Sequence, residues 1–140
     1  MGLILDSSIL IAAERKKFDL VAFIEAEAPG DDIYISAVTA SELLHGVHRS
    51  KPKYRTGRES FVEAVIRDTP TLPFDLLSAR NHAKLWATLE SGGERIGAHD
   101  MQIAATCLRF DHRLATLNEI EFIRVEGLQL ANARPYIIDP

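Results

Sequence analysis

Four carboxylates, far apart in the chain, are the residues with chemistry to offer. Asp6 interrupts the aliphatic run Leu3-Ile4-Leu5 just before Ser7-Ser8, so it falls where a buried strand ends and a helix begins. It either caps that helix or faces the crevice in which open α/β sheets bind their ligands. Glu42 follows Val38-Thr39-Ala40-Ser41 and precedes Leu43-Leu44, where it forms a capping box with Thr39 or faces the same sheet edge. Asp100 lies in the first turn of the apolar helix His99-Asp100-Met101-Gln102-Ile103-Ala104. It favours the helix dipole there, but it also shares the stripe of Ile103, Ala104 and Cys107, where a buried charge needs a partner. Glu121 and Asn118, in Thr116-Leu117-Asn118-Glu119-Ile120-Glu121, stand where the chain leaves another strand.

Such a set suits a hard cation. Mg²⁺ or Mn²⁺ takes oxygen ligands, keeps several waters, and needs only one or two direct carboxylates. Without a cation, crowded carboxylates repel one another and some take up protons near neutrality. With one, a bound water becomes a better nucleophile toward a phosphodiester.

Alternating elements must carry these acids. Apolar runs predict strands at Leu3–Leu5, Ile33–Ile35, Thr71–Phe74 and Arg113–Thr116, and a last short one at Phe122–Val125. Helical spacing predicts helices from Ser7 to Ala13, Phe18 to Glu27, Ser36 to His48, Arg58 to Arg67, Leu76 to Leu89 and Ala98 to Phe110. In the helix from Leu76 the apolar positions are Leu76, Ala79, Ala83, Trp86, Ala87 and Leu89. Strands alternating with helices predict an α/β fold with a mostly parallel sheet and helices on both faces.

Composition sets the bounds. A chain of 140 residues with 46% hydrophobic and 26% charged residues is expected to fold as one domain, residues 1–140. The net charge of −4 announces no global positive field for nucleic acid. Lone Cys107 makes no internal disulfide, and its apolar flanks predict a buried helix position. A cytoplasmic protein is expected, with no membrane span, since no apolar run approaches the roughly 20 residues needed.

Local cations remain the candidates for phosphate contact. Arg15 and Lys16 form one cluster, and Arg49, Lys51 and Lys53, followed by Arg55 and Arg58, form another; both are read as leading away from the acids. Either they are solvated helix ends or they hold RNA. His45 and His48 lack the further ligands of a zinc site and are expected at the surface. Ser8 stands where a haloacid-dehalogenase-like phosphatase needs a second aspartate, which excludes that chemistry.

In order along the chain, Leu3-Ile-Leu-Asp6-Ser-Ser8, Ile35-Ser36-Ala-Val-Thr39-Ala-Ser-Glu42-Leu43 with Gly46, Ile96-Gly97-Ala-His-Asp100 to Ala104, and Thr116-Leu-Asn118-Glu-Ile-Glu121-Phe122 resemble the PIN-domain ribonucleases, specifically VapC-type toxins of prokaryotic toxin–antitoxin pairs. The resemblance implies a three-layer α/β/α PIN-like fold and a metal-dependent endoribonuclease. It further implies Mg²⁺ or Mn²⁺ as cofactor, an RNA substrate, a small VapB-like antitoxin and a homodimer. Carried over by position, Asp6, Glu42, Asp100 and Glu121 are the catalytic acids and Asp6 and Asp100 the metal ligands, while Ser8, Thr116 and Asn118 support them. Glu121 replaces a common Asp and Ser8 a common Asn, so either Glu121 or Asn118 completes the site. The alternatives are an inactive PIN-like subunit that binds RNA or antitoxin without cutting, and a DNA-directed relative of the 5′ nucleases.

Overall fold

The computed structural model describes residues 1–139. Its sheet has four parallel strands, β1 (Leu3–Leu5), β2 (Ile33–Ser36), β3 (Thr71–Leu72) and β4 (Arg113–Ala115), in the order β3-β2-β1-β4. β1 is central because it is apolar throughout, with all three residues buried, so it must be covered on both faces. Between the strands run α1 (Ser7–Glu14), α2 (Leu20–Glu27), α3 (Ala37–Arg49), α4 (Pro52–Asp68), α5 (Leu76–Ser91), α6 (Ala98–Phe110) and the one-turn α7 (Glu119–Phe122).

Two apolar clusters flank the sheet and make three layers. On one face Leu3, Leu5 and Ile35 pack with Ile9, Phe23, Leu43, Val47 and Val62 from the first four helices. On the other, Ile4 and Leu114 pack with Leu85, Leu89, Ile103, Ala104, Cys107 and Phe122. Side chains of successive strand residues point to opposite faces, and so Leu3 and Leu5 enter one cluster while Ile4 enters the other. Cys107 is buried, as its flanks imply.

Four expectations need correction. Phe122–Val125 is not a strand: Val125 N–H donates to the Phe122 carbonyl, and these two residues are buried while Ile123 is 77% exposed. Burial at a spacing of three is the signature of a turn; a strand would bury every second residue. α4 starts at Pro52 rather than near Arg58, because a proline read as a break supplies the first helical residue, where its missing N–H costs nothing. In α5, Leu89 is buried as expected, but Leu76, Ala83, Trp86 and Ala87 are exposed, and Ser78 and Leu85 face the core instead. The strand at Thr71 is also shorter, ending at Leu72 before Pro73.

Each strand hands over to a helix at the same sheet edge. At the end of β2, fully buried Ser36 caps α3: its hydroxyl accepts from Thr39 N–H at 3.0 Å and donates to the Thr39 hydroxyl at 3.1 Å. Thr39 is therefore spent on Ser36, and the Thr39–Glu42 capping box does not form. Replacing Ser36 with Ala removes the cap and is expected to destabilise the protein by about 1–2 kcal/mol, read as a lowered urea midpoint at unchanged m-value.

Candidate active site

At the carboxyl edge of the sheet the three strands β2, β1 and β4 deliver Glu42, Asp6, and Thr116 with Asn118. Asp6, the residue after β1, is 3% exposed. Its Oδ1 accepts from Ser7 N–H at 2.8 Å, and its Oδ2 accepts from the Ser8 and Thr116 hydroxyls, each at 2.8 Å. Asp6 is thus also the N-cap of α1. The capping reading of that residue holds, and its second oxygen is engaged by two hydroxyls besides.

The supporting hydroxyls are themselves held. Ser8 Oγ accepts from Leu117 N–H, and Thr116 Oγ1 accepts from Asn118 N–H, both at 3.0 Å. Each hydroxyl must therefore point its one proton at Asp6. Asn118 then joins the next pair of acids: its Nδ2 donates to Asp100 Oδ2 at 3.2 Å and to Glu121 Oε2 at 3.0 Å. On the other side the Ser7 hydroxyl donates to Glu42 Oε1 at 3.2 Å, and His99 Nδ1 lies 3.4 Å from Glu42 Oε2.

The electrostatics report how close these acids stand. Burial, a hydrogen bond to Glu121 and the charges of Asp6, Glu121 and Glu42 push the Asp100 carboxyl up to about 7. Its hydrogen bond to Asp100, with Asn118 adding a second, holds Glu121 below the ordinary glutamate range. The two carboxyls therefore titrate as a pair, Asp100 being the member pushed up and Glu121 the member held down. Among the described residues no lysine or arginine forms an ion pair with Asp6, Glu42, Asp100 or Glu121.

A divalent cation fits this donor set. The carboxylates are oxygen donors, partly buried and mutually repelling, with His99 beside Glu42 but no lysine or arginine ion pair among the described residues, which is the arrangement a hard cation relieves. Among the described residues no three acidic, histidine or cysteine side chains already close around one point. One or two direct carboxylates with water filling the other positions is the ordinary coordination of Mg²⁺. Gly97, the N-cap of α6, borders these carboxylates: a Cβ there would make ordinary contacts, 3.8 Å from Asp100 Oδ2 and 4.0 Å from Glu121 Oε2.

Compared with known families, residues 3–128 match the PIN domain. The chain belongs to the PIN-domain family. A Ribonuclease VapC of Rickettsia bellii (strain RML369-C) is 36% identical over 131 residues, 93% of this chain and 95% of that protein. Among solved structures, VapBC2 from Rickettsia felis bound to a promoter DNA fragment superposes with a TM-score of 0.84 at 27% identity, covering 93% of this chain and 97% of that one. VapBC-5 of Mycobacterium tuberculosis, from the VapBC family of toxin–antitoxin systems, gives 0.74 at 29% identity, over 92% and 94% of the two chains.

In this PIN domain the basic residues divide. Arg15 at the end of α1 and Arg49 at the end of α3 line an open cleft of about 560 Å³ together with Glu42, Ser7, His99 and Arg58 of α4. Those two therefore return to the acids rather than lead away from them. Lys16, Lys51 and Lys53 are exposed and do not line that cleft. His45 and His48 are exposed too. Sequence reasoning missed Ser7, His99 and Arg58 as neighbours of the acids. Ser7 had a signal, adjacency to Asp6; His99 reaches Glu42 across 57 residues, which no local pattern encodes. Among the described residues no helix is long and apolar enough to cross a membrane.

Proposed function

We propose that this PIN domain is a metal-dependent endoribonuclease, the toxin of a type II toxin–antitoxin pair. The observation that carries the reading is the gathering of Asp6, Glu42, Asp100 and Glu121 around one sheet edge, with no lysine or arginine ion-paired to them among the described residues. Mg²⁺ or Mn²⁺ would be held by Asp6 and Asp100, with Glu42 and Glu121 completing the acid wall through water. When bound, the cation supplies positive charge to the phosphate and lowers the pKa of water.

The protein's own part is positioning. Ser8 and Thr116 fix Asp6, and Asn118 fixes Asp100 and Glu121, through hydrogen bonds whose loss costs metal centres about 10–100-fold in affinity or activity. Glu42, held by Ser7 and beside His99, is placed to orient the attacking water or accept its proton. Arg15, Arg49 and Arg58 bind the phosphates of the RNA on that side. Names of the relatives support the substrate class, and the VapBC complexes support a small VapB-like antitoxin as partner. A homodimer and a cytoplasmic location complete the proposal.

Purified protein with Mn²⁺, offered RNA and DNA side by side, is expected to cut RNA and leave 5′-phosphate and 3′-hydroxyl ends; cyclic phosphates, or cleavage undiminished by chelator, would refute it. Charge reversal at Arg49 and Arg58 together is expected to weaken RNA binding and to flatten its salt dependence by about 0.7 in slope per lost contact. The same change at Lys51 and Lys53 is expected to have the smaller effect, as read by filter binding over a salt series.

A further inference from the structure

We infer that the cleft beneath the carboxy-terminal segment is a second phosphate-binding subsite, with Arg134 as its cation, so that one RNA strand is gripped on both sides of the acid cluster. The inference rests on the nuclease reading above. It adds a substrate contact that the motifs do not contain.

Topology places this cleft. The arginine-lined cleft shares Ser7, Glu42 and His99 with the acid site and so lies on the β2 side of Asp6. A second cleft, of about 510 Å³, is lined by Thr116, Asn118, Glu119, Ile120, Arg134 and Ile137, and so lies on the β4 side. β1 separates β2 from β4, and Asp6 follows β1. Glu42 lines the first cleft and Asn118, which holds Asp100 and Glu121, lines the second, so a strand whose scissile phosphate sits over these acids leaves one cleft and enters the other.

The wall carrying Arg134 is fixed. Asp19 N–H donates to the Tyr136 carbonyl and Ile138 N–H to the Lys17 carbonyl, both at 2.9 Å, while the Tyr136 hydroxyl donates to Glu27 Oε1 at 3.0 Å. Buried Ala131 and Ala133 anchor the segment before it. Arg134 is the one cation among the residues lining the cleft, and its side chain is 75% exposed. Its Nε forms a loose ion pair with Glu119 Oε2 at 3.7 Å, beyond hydrogen-bond length, so a phosphate competes with that one carboxylate for the guanidinium. Ile120 and Ile137, both exposed, offer an apolar surface to the adjoining base. Asp139 and Glu119 share the cleft and restrict anion binding to the neighbourhood of Arg134.

The test uses the full chain with Mn²⁺ and a labelled pool of mixed-sequence single-stranded RNA. Arg134→Gln is expected to raise KM about fivefold with kcat changed less than about twofold, and to lower the salt slope of binding by about 0.7. Glu119→Gln is expected to tighten binding, because it removes a competing anion. If Arg134→Gln leaves KM and the salt slope unchanged while Arg49→Gln moves both, the second subsite is overturned and the nuclease reading stands. If Glu119→Gln weakens binding as much as Arg134→Gln, the pair is merely structural and the subsite is again overturned. Failure of the parent protein to bind or cut RNA overturns both readings.

Discussion

Asp6→Asn is expected to fold normally and to lose RNA cleavage by at least about a hundredfold, the upper end of what supporting contacts alone are worth at a metal centre. The separation of folding from activity follows from the geometry. Asparagine caps helices as well as aspartate does, and the Ser8 and Thr116 hydroxyls can turn to accept from its amide nitrogen. Removing one of four crowded negative charges also relieves repulsion, so the metal-free variant should melt no lower than its parent. The stabilisation that Mn²⁺ gives the parent should vanish. A variant that melts like the parent, keeps its response to Mn²⁺ and still cuts would refute the assignment of Asp6.

Chelation is expected to abolish cleavage outright, with Mn²⁺ restoring it, and the metal response should depend on pH in a definite direction. In the unfolded chain Asp100 loses its proton near the ordinary aspartate value of about 4; in the fold it keeps that proton until about 7. Between those values the folded state binds more protons, so metal-free protein gains stability as pH falls from about 8 toward 5. Glu121, shifted the opposite way by the same contact, offsets part of this gain at the acid end. Cation binding needs the ionised pair, and so the rise in melting temperature caused by Mn²⁺ should be larger at pH 8 than at pH 6. Asp100→Asn should flatten both trends. Identical Mn²⁺ shifts at the two pH values would contradict the site.

The acids were legible in the sequence because each announces itself locally. Asp6 breaks an aliphatic run, Asp100 sits in the first turn of an apolar helix, and Glu42 follows a strand by one short helix turn. The parallel sheet was legible for a similar reason, since β1, β2 and β4 are apolar runs bounded by helix starters. What stayed hidden depends on contacts between distant segments. Phe122 and Val125 look like strand residues until their spacing of three is set against exposed Ile123. Trp86 looks like a core residue by type, yet the layer opposite α5 is filled by Leu85 and Leu89 instead. Arg58 shows in the sequence only as the end of a basic run and Arg134 not at all; the packing of α4, and the tethering of residues 136–138 to residues 17–19, bring them toward the acids.

The register of β1 against β4 bears on the life of the chain before it is free. Asp6 and the Thr116 hydroxyl that steadies it are 110 residues apart, and β1 pairs on one side with a strand made 110 residues later. A polypeptide still emerging from the ribosome holds its first aspartate without the partners that give it purpose, since a domain of such non-local pairings closes late. A site assembled in this order stays incomplete until β4 docks.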